Sequence, residues 1–195
     1  MGFFSALRTL PMRRPFIFGV GLAGTKNGLC DILVQMTVEE KEMVDWTRTS
    51  VFVTFGLLFN GAWQYALFVK MMPRVCPNAV SFVAKPWRAK LKDTAGMKAV
   101  GVQCLIENGI NNPLIYFPLF YTVQEYLAGG DWRNGISKYK QNAAEDLPAI
   151  WALWVPAQLF NFAFSPMWFR VPFVASVSAI WTSYVSYTRG DREKR

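Results

Sequence analysis

Four stretches of this chain carry no charged side chain: residues 49–69, 108–124, 147–169 and 171–188, with a shorter one at 15–25 just before Lys26. A bilayer core about 30 Å thick is crossed by about 20 mostly apolar residues in a helix, so several of these runs reach or approach spanning length. The composition points the same way. Of 195 residues, 52% are hydrophobic and 17% charged, whereas soluble domains carry about 25% charge. The chain reads as an all-α protein: a polytopic transmembrane helical bundle of about four spans plus an extra half or interfacial apolar helix, forming a single membrane domain over 1–195.

The spans follow from the runs: about 16–36, 51–72 and 98–123, then an apolar region, 148–188, of 41 residues. That last region is too long for one crossing. Pro166 and Arg170 divide it into a half-helix, 148–165, and a span, about 168–188, because proline removes a helix hydrogen bond and crowds the preceding turn. Lysine and arginine in the flanks predict sidedness. Fourteen basic residues lie in the N-terminal flank, the connection after the second span and the C-terminal tail, against five in the other two connections. An even number of crossings, with both termini on the basic side, follows. Trp46, Trp87, Trp132, Tyr184 and Tyr187 fall near span ends, as interfacial aromatic belts do.

Several function classes drop out. Histidine is absent, and Cys30, Cys76 and Cys104 are widely spaced. Histidine-based catalysis, histidine-ligated metals and a disulfide framework are therefore not expected. No catalytic constellation remains, and the reading is of a non-enzyme without cofactor or metal. Gly19 to Gly24 match G-x-G-x-x-G, but inside an apolar span, where the strand-to-helix context of a dinucleotide loop is missing. Gly24 and Gly28 read instead as a small-xxx-small pair that lets a second helix approach. The net charge of +8 belongs to the flanks of spans and not to a nucleic-acid surface. The basic 74–98 connection suits anionic lipid.

Polar residues inside the spans carry most of the functional signal. At about 100° per residue, Asp31 and Gln35 share a face with Gly24 and Gly28 on the first span, and Asn60 and Gln64 form a stripe with Gly56 on the second. Gln103, Glu107 and Asn111 recur four apart in the third, and Trp154, Gln158, Asn161 and Ser165 follow along 148–165. Charge in hydrocarbon costs a few kcal/mol, so Asp31, Glu107 and Arg170 are expected to face the bundle interior, one another or water. Two readings remain open. The stripes are interhelical glue, with Asp31 or Glu107 paired to Arg170, or they line a polar conduit with those three charges as its gate.

The last fifty residues resemble a known family. Trp154-Val155-Pro156, then Gln158-Leu159-Phe160-Asn161-Phe162, Pro166, Arg170 and the close Trp181, Tyr184, Ser186 are similar to the C-terminal signature of the Mpv-seventeen and peroxisomal-membrane-protein-twenty-two family. Upstream, Pro15, Gly28 to Asp31 with Gln35, Gly61 to Tyr65, Pro73, Glu107-Asn108 and Pro113 extend the likeness over about 15–188. Two departures stand: Val155 separates tryptophan from proline, and Glu107-Asn108 replaces an Asp-Gln pair. The resemblance implies a small integral protein of the mitochondrial inner membrane, or alternatively of the peroxisomal membrane, with channel-like permeability. The expected function is a metabolite pore. The rival expectation is a structural or accessory subunit of a larger membrane complex such as a respiratory assembly. The bilayer itself and either a homo-oligomer or such a complex are the expected partners.

Overall fold

The computed structural model describes residues 9–179. Helix α1 spans Pro15–Thr37, with Pro15 placed at its start where a missing N–H costs nothing. Helix α2 spans Trp46–Val75 and opens on Asp45, whose side chain accepts from the Arg48 N–H. Short helices α3 (Asn78–Ala84) and α4 (Trp87–Lys90) follow. A continuous helical run is then formed by α5 (Thr94–Leu105), the π-helical α6 (Ile106–Tyr116) and α7 (Phe117–Leu127). After a turn at Gly129, whose φ of 75° suits glycine, α8 runs Trp132–Phe164. A single turn, Met167–Phe169, leads to helical backbone over 170–179.

The backbone packs as two compact units. One is formed by residues of 1–75 and 165–195, the other by 76–164. In the first unit, the space beside Gly28 is filled by Val53, that beside Gly24 by Leu57, and that beside Gly61 by Val20. These pairings run in opposite directions along the two chains, so α1 and α2 are antiparallel. In the second unit, α8 packs along α7 and α5. A β-carbon on Gly135 would sit 2.7 Å from the Thr122 main chain, and Tyr139 stacks on Phe117 with ring centroids 5.7 Å apart.

The burial pattern is inverted relative to a water-soluble bundle. On α1 the buried residues are Gly19, Ala23, Gly24, Asn27, Gly28, Asp31 and Gln35, while Phe16, Ile17, Leu29, Leu33 and Met36 are exposed. On the α5–α6 run, Leu105 and Leu114 are 66% and 68% exposed, and Gln103, Glu107, Asn108, Asn111 and Asn112 are buried. Of the nine largest fully buried side chains among the described residues, five are Arg170, Gln35, Gln103, Gln158 and Asn161. Lipid tails solvate leucine as well as another leucine does, whereas polar groups in hydrocarbon must find partners inside the protein. The structure therefore belongs in a bilayer.

Helices α1, α2 and α8 are long and apolar enough to cross a membrane by length and composition. The expected half-helix, 148–165, is instead the C-terminal part of α8, which has 33 residues and is roughly 50 Å long at 1.5 Å per residue. The polar stretch 132–147 extends the helix because it packs on α7: Tyr121 donates to Asp146, and Lys138 pairs with Glu125. The expected third span, 98–123, lies in α5–α7, whose buried amides lower its hydropathy. The break at Pro166 falls where the spacing predicts it. Of the expected last span, only the part up to residue 179 is described, and Arg8, Trp181, Tyr184, Ser186, Tyr187 and the basic tail lie outside the described residues.

Candidate functional site

The polar stripes resolve into one cluster in each unit. In the first, Asp31 has a cation beside one oxygen and hydrogen bonds on the other. Arg48 Nε stands 2.9 Å from Oδ1, and Oδ2 accepts from Thr49 Oγ1 and Gln35 Nε2, each at 2.7 Å. Gln35 also accepts from the Asp45 N–H at 2.7 Å, so its amide orientation is set from both ends. Arg48 continues to Glu39, with Nη1 to Oε1 at 2.6 Å. Partial burial by itself would raise the Glu39 carboxyl, but Arg48 and Lys41 outweigh it and hold the group below its ordinary value. This network ties the C-terminal end of α1 to the N-terminal end of α2. The expected pairing of Asp31 with Arg170 does not occur, because Arg48, next to Thr49 and about one turn after Asp45, stands at the nearer end of the same helix pair.

Deeper in this unit, Asn60 Nδ2 donates to Asn27 Oδ1 at 3.4 Å, and Asn27 donates to Phe52 O at 3.2 Å. Gln64 is buried, and its Oε1 has no hydrogen-bond partner among the described residues. Arg170 is 0% exposed and donates from Nη1 to Phe68 O at 3.1 Å. The reason lies in the chain. Phe68 is in a π-helical stretch, Ala66–Met71, where a carbonyl's donor comes five residues later. That residue is Pro73, which has no N–H.

The same device operates in the second unit. Within α6 the donor owed to Asn108 O is residue 113, again proline. Trp151 Nε1 takes the freed carbonyl at 2.8 Å, and Tyr139 donates to Pro113 O at 2.7 Å. Local amide bonds organise the surrounding stripe. Asn108 Nδ2 donates to Cys104 O at 3.1 Å, Asn112 Nδ2 to Asn108 Oδ1 at 3.3 Å, and Gln103 Nε2 to Ala99 O at 3.1 Å. On α8, Asn161 Nδ2 donates to Gln158 Oε1 at 3.1 Å.

Glu107 is the exception. It is buried, Asn111 one turn on is its hydrogen-bonding neighbour, and its Oε2 has no hydrogen-bond partner among the described residues. It has no cationic partner among the described residues of its own unit.

Asp31 with Gln35, Asn60 with Asn27, Glu107 with Asn111, and Gln158 with Asn161 are thus brought together, while Asp31 and Arg170, in the same unit, are not paired. Sequence reasoning about stripes left out Asn27, Thr49, Asn112 and Trp151. A proline five residues after a buried carbonyl was a readable signal for the Trp151 contact, but the π register that makes it relevant is not visible in hydropathy. Gly24 and Gly28 lie against Leu57 and Val53 within their own unit.

Residues 125–186 match the Mpv17 / PMP22 family, a window that contains Gln158, Asn161, Pro166 and Arg170. The chain is 30% identical over 179 residues to Protein SYM1 of Debaryomyces hansenii, covering 89% of this chain and 82% of that protein. The chain belongs to the Mpv17 / PMP22 family. It is 21% identical over 192 residues to the mitochondrial inner membrane protein Mpv17 of Danio rerio, covering 95% and 96% of the two chains. It is 24% identical over 179 residues to peroxisomal membrane protein 2 of Bos taurus, covering 88% and 82%. No solved structure matches. This is accordingly an integral organelle-membrane protein, of the mitochondrial inner membrane with the peroxisomal membrane as the alternative.

Proposed function

We propose that this organelle-membrane protein is a channel-like, weakly selective conduit for metabolites, without enzymatic activity. The Gln103, Glu107 and Asn111 face forms its polar wall, and Glu107 is its charge-selective group. The observation that carries this is the state of Glu107: a buried carboxyl with a bare oxygen and no cationic partner among the described residues of its own unit. A charge held in hydrocarbon costs a few kcal/mol, and such residues occur where they face a partner, water or a solute. Asp31, by contrast, has the Arg48 cation beside it and acts as a tie between α1 and α2. Selectivity in such pores comes from wall charge and diameter, and the wall here is carboxyl and amide.

The rival reading, an accessory subunit of a larger membrane complex, would draw its contacts from Gly24, Gly28 and the basic 74–98 connection. Gly24 and Gly28 are already occupied by Leu57 and Val53, which favours the conduit.

The test is reconstitution of the purified full chain into planar bilayers, with reversal potentials read under a salt gradient. Cation-preferring currents that lose their preference in Glu107→Gln, but keep it in Asp31→Asn, are expected. Absence of current above lipid alone, or an unchanged reversal potential in folded Glu107→Gln, would overturn the proposal.

A further inference from the structure

Lys90 closes α4 and is only 7% exposed. Two of its three ammonium donors go to main-chain oxygens: Val83 O at 3.1 Å and Ala163 O at 2.8 Å. Its nitrogen stands 4.5 Å from the Phe164 ring centroid and 5.5 Å from that of Phe82. An ammonium has three donors, so one is left without a partner among the described residues. The carbonyl end of α8, which Ala163 O belongs to, supplies about half a negative charge. Among the described residues no carboxylate within ion-pair distance supplies the rest, and Asp93 in the same connection is taken by Lys85, Nζ to Oδ2 at 2.6 Å. A buried positive charge this incompletely neutralised calls for an anion.

The two rings that flank Lys90 also line a groove of about 430 Å³, completed by Met97, Val100, Leu159 and neighbouring side chains that are apolar throughout. Around it the connection is basic and amphipathic. Arg88, Lys92 and Lys98 are exposed, and so are Trp87 at 62% and Leu91 at 65%. Exposed tryptophan beside lysine and arginine marks the headgroup level of a bilayer. A hydrocarbon-lined groove that opens at a partly unneutralised cation, at that level, matches a molecule with an apolar tail and an anionic head.

We infer that the groove between α3, α5 and the end of α8 holds an acyl chain of one anionic phospholipid, whose phosphate accepts from the third donor of Lys90. The exposed cations of α4 and its flanks complete the headgroup contact, as charge-assisted bonds to phosphate do. This site is independent of the conduit reading, since it uses neither Glu107 nor its stripe.

The full chain in nanodiscs of phosphatidylglycerol and phosphatidylcholine with matched acyl chains tests it, with retained lipid counted by native mass spectrometry after gentle release. Wild type should retain phosphatidylglycerol over phosphatidylcholine by about fivefold for each basic group in contact with the phosphate. Lys90→Met should lose most of that preference. Met97→Trp should lose the retained lipid while every cation remains. Met97 is 42% exposed, so this second variant does not disturb the core and decides the matter even where Lys90→Met fails to fold. Equal retention of the two lipids by wild type, or wild-type retention in Met97→Trp, would overturn the inference.

Discussion

Replacing Asp31 by Asn separates its role as a structural tie from a role in a gate. The carboxylate receives two hydrogen bonds, from Thr49 and Gln35 at 2.7 Å, and an ion-pair contact with Arg48 at 2.9 Å. An asparagine keeps the shape but must turn an NH2 group toward one side. Facing Arg48, it opposes donor to donor. Facing the other way, it meets the Gln35 amide, which cannot invert without losing the Asp45 N–H bond at 2.7 Å. One buried donor is therefore left unmatched, at about 1–3 kcal/mol. Removing one member of a fully buried ion pair costs about 3–5 kcal/mol. The Arg48 side chain is 25% exposed and keeps Glu39 as a second partner, so the electrostatic part falls well below that range. A total of about 2–3 kcal/mol follows, within these magnitudes. The assay is unfolding in mild detergent followed by far-ultraviolet circular dichroism, combined with Arg48→Met in a double-mutant cycle. The two changes should be non-additive by about 1 kcal/mol or more, because the second removes a partner already lost. A loss under about 0.5 kcal/mol, the size of a change at an unconstrained surface position, accompanied by altered ion selectivity, would refute the structural assignment and return Asp31 to the gate.

Three further outcomes can be checked by the same unfolding measurement. Gly61→Ala would bring a β-carbon to 2.7 Å from Val20 Cα, and since main chain cannot swing aside it should cost about 1–3 kcal/mol. Gly101→Ala, which meets nothing within 4 Å, should be neutral or gain up to about 1 kcal/mol. Trp151→Phe removes the donor to Asn108 O and should cost about 1–3 kcal/mol. Adding Pro113→Ala, which restores an N–H in the i+5 register, should recover part of that loss, and a purely additive double variant would count against the register argument. Asp93 caps α5, and its carboxyl is held below the usual carboxylate range by the Lys85 ammonium and the Gly96 N–H. Its folded value is depressed, so its contribution is fully present above the unfolded value of about 3.9 and lost as pH falls through the folded one. The destabilisation caused by Asp93→Asn should accordingly be seen at neutral pH and shrink toward zero in acid, whereas a gap that persists in acid would show that the charge is not its source.

The membrane architecture was legible because hydrocarbon imposes a length and a polarity that any single run of residues must meet. Asp31 and Gln35, Asn60 and Gln64, and Glu107 and Asn111 could be placed on polar stripes from spacing alone, since a 3.6-residue period maps sequence to one face of a helix. The partner across that face could not. Asp31 pairs with Arg48 and not Arg170 because α1 and α2 meet in antiparallel register through glycines 24, 28 and 61, and register is a property of two surfaces at once. The length of α8 was also hidden: residues 132–147 are too polar to signal a span and are helical because Tyr121, Glu125 and Thr122 of α7 hold them.

The amino-acid sequence by itself determined the class of solvent, the family, and which faces of the helices are polar, because each follows from composition, order and period along one chain. Tertiary structure alone decided which polar groups are matched and which are left over. That separates Asp31, paired with Arg48, from Glu107 with its bare oxygen and Lys90 with its spare donor, because a partner is selected by distance in space and not by position in the chain.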